Sequence, residues 1–429
     1  MLLEVPYLSK PFPLEFPEEN LLAVAEPNEY HCEIAAEKII TEALNNPYSE
    51  DGKQNGSTLS DFLKHGKKLL VIINDATRPT PTEAILTGLM PVIEEANFGS
   101  SVKFIVATGA HRSPSEEEYS QILGSHYKKL RNCCLYHDAR NDKEMIDIGT
   151  TRNGTPMLLN KCLFEADRII VTGSVEPHYF AGFTGGRKAF FPGIASYKTI
   201  EANHKLALSP NAKSLALDGN PVHEDMMDAL PLIKASVFSV MTVLNKEQGI
   251  AAATTGDLMV SFYRAVDIAK QIFCVEVSMK ADIVVSVAIF PMDIDLYQSQ
   301  KAIDNAAIAL NDGGFLILVS SCRDGIGDKA YANLLAQASS PVDAIKKINA
   351  GYKLGYHKAA KMAEVSSRAT IVAVSEIKRE QLKSMFIDKA ETPQEALDKA
   401  MAVLKAKGIA VPKILILPDG CVTVPNVLK

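Results

Sequence analysis

The sequence predicts an α/β protein of two domains, each with an open, mainly parallel sheet flanked by helices. Three observations point there. The chain has 429 residues, and at about 150 residues per domain that allows two or three domains with an ample core. Hydrophobic residues make up 47% and charged residues 22%, the usage of a soluble globular protein. Strand-like apolar runs alternate with helix-like segments, with no internal repeat and no low-complexity tract.

Taken in order, residues 67–74 (KKLLVIIN) read as a buried strand and 81–97 as a helix. Residues 102–107 (VKFIVA) are the next strand. A helix follows from Ser115 to Leu130, and Ser115 with Glu118 fits a capping box at its start. Arg168 to Thr172 (RIIVT) is a strand running towards a glycine-rich loop over 181–193, with a helix from about Ser196. A second block opens near Lys280. ADIVVSVA (281–288) is a strand, Asp295 to Leu310 a helix and GGFLILVSS (313–321) a strand. This is a βαβ unit, for which a right-handed parallel crossover is the default. TIVAVS (370–375) and KILILPDG (413–420) are further strands, separated by helical stretches. The expected division is an N-terminal domain over 1–276 and a C-terminal domain over 277–409 that closes a cleft. The short tail 410–429 is expected to return to the first domain.

Charge and cysteine usage narrow the function. Lys plus Arg is 45 and Asp plus Glu is 51, a net charge of −6. General nucleic-acid or anionic-membrane binding normally needs a basic surface. No uncharged apolar run reaches about 18 residues, the length for a membrane span. The start, MLLEVPYLSKPFPLEFPEEN, lacks the basic and apolar regions of a signal peptide. The seven cysteines are Cys32, Cys133, Cys134, Cys162, Cys274, Cys322 and Cys421. An odd count without a C-x-x-C pair indicates neither a disulfide framework nor a cysteine zinc site, and the expected compartment is a reducing cytoplasm.

The informative residues fall at strand ends. Three apolar runs end in clusters of reactive groups: Asn74-Asp75-Ala76-Thr77-Arg78-Pro79-Thr80-Pro81, Ala107-Thr108-Gly109-Ala110-His111-Arg112, and the stretch from Gly173 to Lys188. In open α/β sheets, ligands bind outside the carboxyl ends of the strands. Asp75, Thr77 and the prolines also suit a plain helix start. Arg78 suits bidentate binding of a carboxylate or phosphate. A lone histidine is usually structural, but His111 stands in a Gly-Ala-His-Arg loop after a strand. The loop Gly182 to Lys188 fits neither G-x-x-x-x-G-K-[ST] nor G-x-G-x-x-G. Its glycines suit close approach of the backbone to a bound group, and Lys188 is a candidate nucleophile or attachment point. His204 is a solvent-facing histidine or a metal ligand, and as a lone ligand it would need a cofactor to supply the rest. In the second block Tyr297, Gln298 and Lys301 share a helix face. That face is either solvated or turned to the interdomain cleft, a favoured place for ligands.

These residues resemble the nickel-dependent lactate racemase family of 2-hydroxyacid racemases and epimerases. The matching stretches are DATRPTP (75–81), TGAHR (108–112), EPHYFAGFTGGRKAFFPGIASYKTIEANH (176–204) and YQSQKAI (297–303). The resemblance implies a nickel-pincer nucleotide, a pyridinium-3,5-bisthiocarboxylic acid mononucleotide carrying nickel. Lys188 would match the attachment lysine and His204 the nickel ligand. Thr77, Gly185, Gly186 and Arg187 would bind the cofactor beside Lys188. His111 and His178 would match two acid/base histidines, supported by Asp75. Arg78 and Lys301 would hold the substrate carboxylate, with Tyr297 and Gln298 near it. Separate biosynthetic proteins would supply the cofactor.

The chemistry agrees with that assignment. The α-proton of a 2-hydroxy acid is weakly acidic, so moving it as hydride avoids a carbanion and gives a planar 2-keto acid. Two bases are needed because the hydroxyl lies on a different side in each enantiomer, and a group with a pKa of about 6.5 both takes and gives protons near neutrality. The lean is towards lactate or a similar short monocarboxylate. The alternatives are a carrier without racemase activity, an epimerase of a longer or sugar acid, and a nicotinamide dehydrogenase. The missing G-x-G-x-x-G argues against the last.

Overall fold

The structure is a computed structural model that describes residues 1–7, 11–30 and 34–428. Cys32 lies outside the described residues. The chain divides into two units: Glu29–Ile272, and a second formed by Met1–Asn28 together with Phe273–Lys429.

The unit Glu29–Ile272 is built on a six-stranded sheet. Its spatial order is Ile250–Gly256, Ser236–Leu244, Arg168–Ser174, Leu69–Asn74, Val102–Ala107 and Cys134–Tyr136. All neighbours are parallel except Ile250–Gly256 against Ser236–Leu244. Leu69–Asn74 lies inside the sheet with its first five residues buried. That explains the unbroken apolar run, since a parallel strand is covered on both faces. Phe104, Phe238, Leu89 and Ile85 belong to the core packed against it. Helix Thr82–Glu95 follows directly. The Ser115 capping box forms: Glu118 N donates to Ser115 Oγ at 3.2 Å and Ser115 N to Glu118 Oε2 at 2.7 Å. The helix stops at Leu123, short of the expected Leu130. Gly124 ends it at φ +52°, where a Cβ would lie 2.1 Å from the Glu83 carboxyl carbon. Strands Ser236–Leu244 and Ile250–Gly256 and helix Leu258–Phe273 had no counterpart in the sequence expectation.

The second unit carries another six-stranded sheet, ordered Ile387–Ala390, Thr370–Val374, Leu310–Val319, Ala281–Val287, Ile414–Leu417 and Leu21–Val24. Every neighbouring pair is parallel. The tail does not return to the first domain, where it was expected; it belongs to the second unit. Ile414 to Leu417 pair with Ile283 to Ser286, and Val424–Val427 pairs with Cys274–Val277. The four residues ILIL are all buried, which an inner position in a parallel sheet provides. The first 28 residues also leave the expected 1–276 domain, because Leu21–Val24 adds beside that strand. Among the described residues no helix is long and apolar enough to cross a membrane.

Candidate active site

The sheet order of the first unit sets the site. Arg168–Ser174, Leu69–Asn74 and Val102–Ala107 are adjacent and parallel, with Asn74 paired to Ala107. Their three polar loops therefore leave from one edge of the sheet, at the carboxyl ends of the strands.

His111 and Asp75 meet there. His111 Nδ1 is 2.6 Å from Asp75 Oδ2. The Asp75 side chain is 7% exposed and that of His111 47%. The carboxylate accepts Nδ1–H, which leaves the Nε2 lone pair as the proton acceptor. Thr77 Oγ1 donates to the other carboxylate oxygen at 2.8 Å. Burial pushes the Asp75 carboxyl up. The His111 hydrogen bond and charge, the Arg78 charge and Thr77 more than offset this, and hold it below the usual carboxylate range. The Arg78 amide caps the same turn by donating to the Asp75 carbonyl at 3.1 Å.

The third loop carries His178. Pro177–His178 pairs antiparallel with Gly182–Phe183 in a small hairpin. The amide of Ala181 donates to His178 Nδ1 at 3.2 Å, so the neutral ring carries its proton on Nε2. Phe180 organises the neighbourhood: its ring meets His178 edge-on at 4.6 Å and His204 at 5.0 Å, and Lys188 Nζ lies 5.9 Å from it. His204 stands in the last turn of helix Tyr197–Lys205, which Ser196 caps. Its Nδ1 is buried. Burial first, then the charges of Lys188 and Arg78, push this imidazole down to about 3. It is therefore neutral near pH 7, the form that ligates metals. Arg78 is felt electrostatically by both Asp75 and His204, so the first two loops and the His204 helix end lie close together.

Anchors hold these loops. Gly109 N donates to the Gly193 carbonyl at 3.0 Å. Buried His137 links the Thr108 hydroxyl, through its own carbonyl, to the Ala195 carbonyl 2.8 Å from its Nε2. Thr80 and Thr184 both bond Ser174. Sequence pattern did not single out His137, because its partner Ala195 lies 58 residues further along the chain.

Arg187 is 0% exposed. Its guanidinium donates to the carbonyls of Ala181 (2.7 Å), Gly185 (3.2 Å) and Thr184 (3.4 Å), and lies 4.6 Å from the Phe262 ring centroid. It holds the glycine loop from beneath. Gly185 and Gly186 adopt φ +79° and +54°. A Cβ there would meet Val175 at 2.6 Å and Phe262 at 2.8 Å, so the loop's own packing requires glycine. Arg112 pairs with Glu118 at 2.7 and 2.8 Å, which draws its charge into the capping box.

Tyr297, Gln298 and Lys301 lie in the second unit on helix Leu296–Ala306, whose start Asp295 caps by accepting from Gln298 N at 2.7 Å. Lys301 Nζ is 3.1 Å from Met292 Sδ. The Tyr297 ring packs edge-on against Tyr331 at 5.5 Å. Among the described residues no group of three or more His, Cys, Asp or Glu could hold a metal ion. A metal at His204 would take its remaining ligands from a bound group.

A histidine held by a buried carboxylate at the carboxyl ends of parallel strands is an arrangement suited to acid–base chemistry. Comparison with known proteins sharpens this. Residues 7–215 match the family described as the lactate racemase N-terminal domain, and residues 276–424 the lactate racemase C-terminal domain. The lactate racemase of Lactiplantibacillus plantarum is 30% identical over 429 residues, covering 97% of this chain and 98% of that one. The lactate racemase of Thermoanaerobacterium thermosaccharolyticum is 29% identical, covering 97% of each. The solved lactate racemase apoprotein from that organism superposes with a TM-score of 0.91 at 28% identity, over 99% of this chain and all of that one. A Thermotoga maritima protein at 18% identity shares the fold, with a TM-score of 0.69 over 94% of this chain and all of that one. The chain belongs to the lactate racemase family, and it is an isomerase.

Proposed function

We propose that this protein interconverts the enantiomers of a short 2-hydroxy acid, with lactate as the leading substrate. The observation that carries the reading is the 2.6 Å Asp75–His111 pair on the sheet edge that also carries His178, in a chain matching lactate racemases along 97% of its length.

His111 Nε2 takes the hydroxyl proton of one enantiomer, and Asp75 stabilises the imidazolium that forms. His178 is the second acid/base histidine: as an imidazolium it donates a proton to the oxygen of the planar 2-keto acid and is left neutral. The roles exchange for the other enantiomer. Arg78 and Lys301 hold the carboxylate while C2 changes hand, with Tyr297 and Gln298 beside it. The residues around Phe180 fit a nickel-pincer nucleotide: a neutral, partly buried imidazole at His204 suits a metal, and the cations Lys188 and Arg78 near it suit an anionic nucleotide. His204 would ligate the nickel, Lys188 would attach or pair with the nucleotide, and Thr77 and the Gly185–Gly186 loop would flank it. When bound, that group supplies the hydride acceptor and donor for C2. Biosynthetic proteins of a reducing cytoplasm would deliver it.

The test is optical. Cofactor-loaded protein is expected to bring L-lactate and D-lactate to the same racemic mixture. Confirmed nickel and cofactor with no change of optical rotation for lactate or any of a panel of 2-hydroxy acids would overturn the reading. His204→Ala is expected to lose bound nickel by elemental analysis while keeping its fold by circular dichroism. Full retention of nickel would remove His204 as the ligand.

A further inference from the structure

A buried ammonium in the second unit has no part in the chemistry above. Lys358 lies in the first turn of helix Tyr356–Arg368 and is 3% exposed. Lysine is almost never fully buried without a partner. Its Nζ donates to the main-chain carbonyl of Tyr297 and lies 4.2 Å from the Tyr297 ring centroid. Its own carbonyl accepts from Gln300 Nε2 at 2.8 Å. One residue thus grips helix Leu296–Ala306 at two points, within the turn that carries Tyr297, Gln298 and Lys301.

We propose that Lys358 is a positioning residue for this turn, and that its ammonium adds a second positive charge behind Lys301 for binding the substrate carboxylate. The proposal rests on the reading of Lys301 as a carboxylate-binding residue.

The surrounding charges make the contribution depend on pH. Burial, and then the charge of Lys301, push the Lys358 ammonium down from its usual range towards neutrality, against Asp304, Asp295 and Cys421. Burial pushes the Asp304 carboxyl up towards it, opposed by Lys358, Lys361 and a hydrogen bond from Gln300, and reinforced by Glu364. The two groups titrate as a pair. The sign follows from Lys358 being cationic at the acid end of the neutral range and neutral at the alkaline end. The anionic substrate is held more tightly at the acid end, so KM rises with pH.

The experiment measures kcat and KM for D- and L-lactate across the neutral range with cofactor-loaded enzyme, and L-lactate binding by calorimetry in parallel. The wild type is expected to show KM rising with pH. Lys358→Met is expected to raise KM about tenfold at the acid end, the scale of one unit charge removed behind a carboxylate, and to flatten the pH dependence. Asp304→Asn, which removes the anion favouring the cationic lysine, is expected to move the inflection to lower pH. It decides the matter alone if Lys358→Met does not fold. Calorimetric Kd values should follow the same pattern. Wild-type KM–pH profiles in the folded variants, or a loss confined to kcat, overturn this proposal alone. A loaded wild type that turns over no 2-hydroxy acid overturns the reading beneath it.

Discussion

Asp75→Asn and His111→Ala are each expected to lower kcat for lactate racemisation about a thousandfold, the order for loss of a general base or its orienting carboxylate. His111→Ala removes the group that takes the hydroxyl proton. Asp75→Asn keeps the shape and removes the charge. An amide either accepts Nδ1–H weakly or donates to Nδ1, and in the second case it blocks the Nε2 lone pair. In both cases the imidazolium loses its counter-charge across the 2.6 Å contact. KM should change little, since the carboxylate contacts are assigned to Arg78 and Lys301. Nickel content should also hold, since His204 and Lys188 are untouched. The Asp75 carboxyl is held below its usual range, so it stays ionised throughout the neutral range. Its contribution to stability is complete above the unfolded value of about 3.9 and disappears as pH falls through the lower folded value. Stopped-time polarimetry with elemental analysis checks all of this. Unchanged kcat in either variant would remove the pair from the reaction.

Arg187→Met is expected to destabilise the first unit by about 3 kcal/mol, because the Thr184 carbonyl loses its guanidinium donor and the Ala181 and Gly185 carbonyls keep only the amides of Phe183 and Lys188. Replacing a buried charge by an apolar residue is often neutral. Here the charge is not the main issue. Burial already pushes the guanidinium down, to about 9, and it remains protonated at neutral pH. What Arg187 supplies is a planar fork reaching three carbonyls of one loop. Arg187→Lys should therefore also fail, since an ammonium cannot span the set. The expected fall in melting temperature for a unit of this size is roughly 10 °C. His178 lies in the hairpin so held, so residual folded protein should also lose turnover. A melting temperature within a degree or so of wild type for both variants would show that the loop holds itself.

Much of this was legible from sequence, for local reasons. Leu69–Asn74, Val102–Ala107 and Arg168–Ser174 are apolar runs cut off by Asp75, His111 and the 176–188 motif, and a strand's carboxyl end can be read from that break alone. The Ser115–Glu118 capping box is local in the same way, since its partners are three residues apart. Gly124 at φ +52° ends that helix at Leu123, and Glu83, forty-one residues upstream, fills the space a Cβ would need there. The packing of Gly186 and Arg187 on Phe262 and the clamp of Lys358 on Tyr297 likewise depend on partners far along the chain.

The sequence by itself determined the α/β class, the strand ends and the chemical inventory, because apolar periodicity and residue type act locally. Tertiary structure alone decided which strands are neighbours. It put Ile414–Leu417 and Leu21–Val24 in the second sheet and brought the loops of Asp75, His111 and His178 to one edge. Strand pairing is a choice among distant segments of similar apolar character, settled by which arrangement buries them together.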